Sequence, residues 1–350
     1  MRRLPEDNVP PRTRRQTRSV TLADVANLAG VSPQTVSRAV RNPLEVSEQT
    51  LERVQWAIET TGYVPNLAAS NLASNRSGTI AAIIPTIAAS IFADALHGLD
   101  AALAPSGYQL FIGSTDYDPE HEEQLIRTFL GRRPEGVFIV GTQHTPAASA
   151  LLKNARIPVV EAWNWTPEPI DSLVGFSNTA AIAAVVEYVT GKGFRHPTFA
   201  GSFRSGDARA GDRQAGFADA VRRLLPGEPV RVVDSGTGVV DMATGIQLLD
   251  RTLQDHPDTD VLMFASDVFA AGALLECERR GLDVPGRLAI TGFGDFELAR
   301  YLVPALTTVA VPNQEIGTRA GALLADRIAG RTAEPQMIDL GFSVVARASA

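Results

Sequence analysis

"VSPQTVSRAV", residues 31–40, holds the start signal and both faces of a short helix. Ser32 is placed as a side-chain cap, and Pro33 stands at the first helical position, where its missing N–H leaves nothing unsatisfied. Val36, Ala39 and Val40 then share one face, which leaves Gln34, Thr35, Ser37, Arg38 and Arg41 wholly or partly outward. Side chains of these types read nucleic acid: Gln pairs bidentately with adenine, Arg with guanine, and hydroxyls hold phosphates. For any one of them a solvated polar face is the simpler account. The whole spaced set favours a groove-reading helix.

The flanking residues complete a small helical module. Thr21 and Asp24 fit a capping box ahead of apolar Leu22, Val25, Ala26 and Ala29, and Gly30 ends that helix. Only "GVS" separates it from the next, a tight turn that holds two helices at a steep angle. A third helix opens at Ser47 and runs through Leu51, Val54 and Ile58 to Gly62, closing a core that two helices could not. A helix-turn-helix domain is therefore predicted over 19–64. After Pro65 comes "NLAASNLASNRSG", a marginal short helix capped by Asn66 and predicted as a hinge over 65–77. Its small residues, Ala73 among them, would let a twin helix approach, and Leu72 has no local core. A flexible linker with Leu72 folded back on its own domain is the competing account.

The charge is divided along the chain. Residues 1–76 carry ten Arg against seven Asp and Glu, whereas the remainder carries 22 Lys and Arg against 32 acids. A basic head on an acidic body points to an anionic partner for the head alone, with a merely solubilising tail left open. The first 18 residues are polar and Pro-rich with no apolar signal core, which predicts a disordered basic tail in the cytoplasm. No run of apolar residues is long enough to span a membrane. The single cysteine, Cys277, excludes an internal disulfide framework and a Cys-rich zinc site, and its helical setting suits a buried inert thiol.

From Gly78 onward, ten short apolar runs alternate with helical segments, from "TIAAIIP" to "TTVAVP". The fold class is α/β: an all-helical head followed, over 78–350, by two lobes of parallel sheet covered by helices. Ligands in such folds lie at the carboxyl ends of strands, in the cleft between lobes. Enzyme signatures are incomplete: "TGKG" and "GTGVVD" lack a full phosphate loop, "HEEQL" is no two-histidine zinc motif, and no nucleophile elbow stands out. No catalysis, cofactor or metal is expected.

"VTLADVANLAGVSPQTVSRAV" followed by "VSEQTLERVQWAIETTGYVPNLAASNLA" resembles the DNA-binding head of the LacI/GalR family of bacterial transcriptional repressors. The resemblance implies base reading by Pro33, Gln34 and Arg38 and a minor-groove wedge at Leu72. Thr21, Ser32, Thr35, Ser37, Asn66 and Ala73 complete the implied DNA-contacting set. It extends to the body, which looks like a periplasmic-binding-protein core with the chain crossing between lobes near 178, 306 and 334. Arg213 in "GDRQAGF" matches the family's ligand-binding arginine, the alternative being a surface pair with Asp212 or Asp219. Phe92, and Trp163 with Trp165, are candidates to stack on sugar faces or else to serve as lid or core. Ser266 is a candidate polar contact, while Asp267 is expected to cap its helix.

Relatives that bind neutral sugars often carry Gly-aromatic-Asp-Asp after "ITGF". Here "ITGFGDFE" puts Gly294 in place of the first Asp and leaves Asp295. A cleft that loses a carboxylate and keeps Arg213 suits an anion, unless Gly294 is only a turn residue. "GTQHTP", "IPVVE", "VGFSN", "CERRGLDVP" and "MIDLGF" resemble the gluconate-utilisation repressors within the family, which implies gluconate or a related aldonate, with His144 a further candidate for its carboxylate or else a solvent-exposed loop histidine. The expected protein is a homodimeric, nucleoid-associated repressor of near-palindromic double-stranded operator DNA under sugar-acid control. No heptad tail follows "FSVVARAS", so a dimer is preferred to a tetramer. The alternatives are a solute-binding protein without regulatory role, and a regulator answering to a phosphorylated sugar or a protein corepressor.

Overall fold

In a computed structural model, residues 20–64, 77–204 and 206–350 are described. The expected tail, and Asn66, Leu72 and Ala73 of the expected hinge, lie outside the described residues. The chain divides between Asn75 and Arg76 into two units.

The first unit contains α1 (Leu22–Ala29), α2 (Pro33–Arg41) and α3 (Glu48–Thr61). Hydroxyl caps start all three. The Asp24 N–H donates to Thr21 Oγ1 at 3.3 Å while the Thr21 N–H donates to Asp24 Oδ2 at 2.8 Å, so the box is reciprocal. Ser32 accepts the Thr35 N–H at 3.1 Å, and Ser47 accepts that of Thr50 at 3.4 Å. Gly30 and Gly62 end α1 and α3 in the left-handed conformation. Val25, Ala26, Ala29, Val36, Ala39, Val54 and Ala57 form the core. Val40, expected inward, is exposed. Val36 and Ala39 already fill the narrow space among three short helices, leaving the last turn of α2 at the rim.

The second unit holds two parallel sheets. The first lobe contains β1 (Thr79–Ile84), α4 (Ser90–Leu103), β2 (Gln109–Ser114), α5 (Pro119–Leu130), β3 (Gly136–Val140), α6 (Pro146–Asn154), β4 (Val159–Ala162) and β5 (Ser172–Gly175). The second contains α7 (Asn178–Gly191), β6 (Pro197–Gly201), α8 (Ala208–Leu224), β7 (Arg231–Asp234), α9 (Met242–Asp255), β8 (Val261–Phe264), α10 (Asp267–Arg280), β9 (Ala289–Thr291) and β10 (Thr308–Ala310). The chain then returns to the first lobe through α11 (Asn313–Ile328) and β11 (Met337–Asp339), and ends on the second with β12 (Ser343–Val345). Sheet orders are β11-β5-β4-β3-β1-β2 and β7-β6-β8-β9, with β10 and β12 as an antiparallel pair. Every residue of β1, β3, β4, β5 and β8 is buried, which is why these strands read as apolar runs rather than alternating ones.

The ten expected strands are all present. β11 and β12 are additional; both are largely exposed or half-buried, so neither reads as an apolar run. Crossings between the sheets fall at 176–177, 311–312 and 340–342, where the resemblance implied 178, 306 and 334. In the first lobe α11 lies directly on α4: a Cβ on Gly317 would come within 1.8 Å of the Ala95 carbonyl oxygen, so the two backbones touch.

Candidate functional site

On α2, Pro33, Gln34 and Arg38 are exposed, and Thr35 and Ser37 are half-buried. The Ser32 and Thr35 hydroxyls lie 2.9 Å apart and Thr21 is engaged in its capping box, so these three also fix the start of their helices. Arg38 Nε lies 3.9 Å from Glu45 Oε2, whose partner oxygen accepts from Asn42 Nδ2 at 2.7 Å. An ion pair this long between exposed side chains is weak, and the guanidinium is free to turn toward a groove.

Between the lobes of the second unit is a cavity of about 460 Å³, the size class of a small-molecule site. The first lobe contributes the start of α4 with Phe92, the loop after β2 with Asp116 and Tyr117, and Trp163 after β4. Phe92 and Trp163 meet edge to face, with ring centroids 5.2 Å apart at 67°. Trp163 is left-handed, with φ 69°, and its carbonyl accepts from Asn178 Nδ2 at 3.0 Å. Trp165 is not among the lining residues.

The second lobe contributes Arg204, Asp207, Arg209 and Arg213 from α8 and the loop before it. Arg209 and Arg213 are four apart and therefore share a helix face. Arg213 donates through Nη1 to Asn178 Oδ1 at 2.7 Å, and its guanidinium carbon lies 4.6 Å from the Phe293 ring centroid. Its Nε is buried with no hydrogen-bond partner among the described residues, and burial pulls its pKa below the usual arginine value. Asp219 pairs with Arg222 at 2.7 Å instead, so the surface pairing of Arg213 with Asp219 does not occur. Arg209 meets Asp207 at 3.2 Å. Burial raises the pKa of Asp207, but Arg209 and Arg213 outweigh it and hold the carboxyl below the usual range. Three guanidiniums and two carboxylates line the cavity, which leaves one positive charge uncompensated.

Ser266 lines the cavity and caps α10, accepting the Val268 N–H at 3.3 Å. The cap is thus Ser266 and not Asp267, which is the first helical residue and fully buried. Asp267 instead accepts the Phe296 N–H at 2.8 Å and the Thr308 hydroxyl, and burial pushes its carboxyl up to about 7. Those bonds hold the loop that carries Gly294. Gly294 has φ 126°, and a Cβ there would lie 2.5 Å from the Phe296 ring, so conformation and space both exclude an aspartate.

Two candidates are placed elsewhere. Asp295 turns away from the cavity and pairs with Arg347 at 2.6 Å. His144 is buried within the first lobe, with Nδ1 2.6 Å from Glu122 Oε1 and Nε2 3.3 Å from Glu161 Oε1 but poorly aligned with it. Burial opposes its cation, yet the two glutamates carry its pKa to about 9. Both its ring nitrogens face protein carboxylates, so neither addresses the cavity. Among the lining residues the sequence reading passed over, Arg209 carried a signal in its spacing from Arg213. Tyr117, Arg204 and Phe293 stand in loops and carried none.

Residues 21–66 match the model described as bacterial regulatory proteins, lacI family, and residues 186–350 match a periplasmic binding protein-like domain. The chain is 34% identical over 342 residues to the HTH-type transcriptional regulator GntR of Pseudomonas aeruginosa, covering 96% of this chain and 97% of that one. It is 33% identical to the HTH-type transcriptional regulator IdnR of Escherichia coli, over 93% and 97% of the two chains. A crystal structure of a LacI family transcriptional regulator from Silicibacter pomeroyi superimposes with a TM-score of 0.87 at 35% identity, covering 94% of this chain and 99% of that one. The chain belongs to the lacI family of bacterial regulatory proteins and is a DNA-binding transcriptional repressor.

Proposed function

We propose that the protein is a homodimeric repressor whose operator affinity is set by a sugar acid, gluconate or a related aldonate, bound between the lobes of its second unit. The observation that carries the ligand class is the charge of the cleft. One uncompensated guanidinium charge suits a monoanion. Phe92 and Trp163 offer an apolar wall for the C–H face of a sugar chain, while Arg213 and Ser266 offer polar contacts to hydroxyls. Gln34 and Arg38 carry base recognition, with Pro33 contributing shape.

Dimerisation is supported by apolar side chains left exposed on the second unit. Phe111 and Ile112 stand on the edge strand β2 and are 37% and 49% exposed, while Met242 and Leu275 on the packed pair α9 and α10 are 41% and 49% exposed. A dimer would present two heads to the two halves of a near-palindrome. Among the described residues no helix is long and apolar enough to cross a membrane.

The test is fluorescence anisotropy of the full chain on the near-palindrome upstream of its own gene, titrated with gluconate and separately with neutral hexoses. Release, or tightening, by gluconate alone is the expected result. DNA binding indifferent to all of them discards the sugar acid, and absence of DNA binding discards the repressor reading.

A further inference from the structure

We infer that Arg204 is the residue that reads the effector's carboxylate, held for that purpose on the ring of Tyr117. The inference rests on the sugar-acid reading above and goes beyond it by assigning the charge to a group other than Arg213.

The three cleft guanidiniums differ in what they have left to give. Arg213 is engaged with Asn178 Oδ1 and lies against Phe293. Arg209 is paired with Asp207. The guanidinium of Arg204 makes no hydrogen bond or ion pair among the described residues. Its carbon lies 4.0 Å from the Tyr117 ring centroid, and one edge is close enough to the backbone at Gly238 that a Cβ there would fall 2.8 Å from Nη1. A guanidinium stacked on a ring keeps its N–H donors in the plane and unshielded at the rim, where a carboxylate can accept two of them at once.

The position of this shelf adds a second argument. Tyr117 belongs to the first lobe and Arg204 to the second, and the lobes touch beside them. A Cβ on Gly206 would fall 1.7 Å from the Tyr117 carbonyl oxygen, so only glycine admits that approach. Asp116 and Tyr117 are both left-handed, with φ 51° and 63°, a costly conformation for two successive residues that nonetheless presents the ring to Arg204. A carboxylate docked on Arg204 therefore sits at the junction of the lobes, and the charge of the effector is read at the place where the cleft is closed. Arg213, anchored through Nη1 on Asn178 Oδ1 and against Phe293 with its Nε still unpartnered among the described residues, is left to the hydroxyls.

Isothermal titration of the full chain with gluconate and with its neutral counterpart glucitol tests this, glucitol being read by competition where its own heat is small. The wild type should prefer gluconate. Arg204→Gln should weaken gluconate about 10- to 100-fold, the range of a lost charge-assisted pair, and leave glucitol unchanged, so that the preference collapses. Tyr117→Ala should collapse it too, whereas Tyr117→Phe, which keeps the ring, should preserve it. Arg213→Ala should weaken both ligands alike. A preference that survives Arg204→Gln, or one that is lost in Arg213→Ala alone, overturns the assignment to Arg204. A wild type with no preference for gluconate overturns the sugar-acid reading, and this inference with it.

Discussion

Replacing Asp267 by Asn should make the second unit more stable, and increasingly so as the pH rises. Asp267 is fully buried and accepts from the Phe296 N–H and the Thr308 hydroxyl. Asn can reproduce both bonds, its Oδ1 accepting from Phe296 and its Nδ2 donating to the Thr308 oxygen. What changes is the cost of charge. Burial raises the carboxyl from its ordinary 3.8 to about 7. The folded protein thus keeps this proton at a pH where the unfolded chain has lost it. Stability is whole below pH 4, falls as the pH climbs toward 7, and is level above. Linkage between those two values puts the penalty at about 2 kcal/mol at pH 5 and about 4 kcal/mol at pH 8. Urea unfolding of wild type and D267N, followed by tryptophan fluorescence at both pH values, should show the gain of the variant growing by about 2–3 kcal/mol. Asp267→Ala, which strands the Phe296 N–H, should instead cost about 1–3 kcal/mol. If wild type and D267N keep parallel profiles from pH 5 to 8, the reasoning about Asp267 fails.

The other expectations concern separate places in the molecule. His144, raised to about 9 by its glutamates, stabilises the first lobe fully below its ordinary 6.5, and that contribution is lost as the pH rises through 9. His144→Gln should abolish the fall in urea midpoint between pH 7 and 9, and should leave gluconate affinity at wild-type level because the residue is outside the cavity. Gly294→Asp, which restores the carboxylate seen in many sugar-binding relatives, forces a side chain onto φ 126° and into Phe296. It should cost about 1–3 kcal/mol in thermal or urea unfolding and weaken gluconate binding. Arg38→Ala should lower affinity for the operator by about 10- to 100-fold and for random DNA by much less, as measured by anisotropy at fixed salt. Equal losses on both would count against base reading.

The head was legible because its signals are local: Thr21, Ser32 and Ser47 precede their helices, and Gly30 and Gly62 follow them, within one turn of what they specify. Strands β1, β3, β4, β5 and β8 were legible because burial on both faces makes each a nearly unbroken apolar run. Phe92, Trp163, Arg213, Ser266 and Gly294 fall at the ends of strands or starts of helices, where this topology brings any residue to the cleft. Positions that depend on distant partners were not legible. Asp295 is drawn off by Arg347 and His144 by Glu122 and Glu161, pairings that no spacing announces. Tyr117 and Arg204 meet only because loops of two different lobes meet. Val40 looked inward by period, and only the small volume of a three-helix core decides that it is not.

The contact between α4 and α11 has a mechanical meaning. Both helices begin at the cavity, at Ser90 and at Asn313, and where Gly317 lies on Ala95 there is no compliant layer of side chains between them to absorb a displacement. The pair behaves as a stiff lever and cannot act as a spring. A displacement at the cavity end of one helix is therefore passed directly to the backbone of the other, and the two shift as one piece of the first lobe.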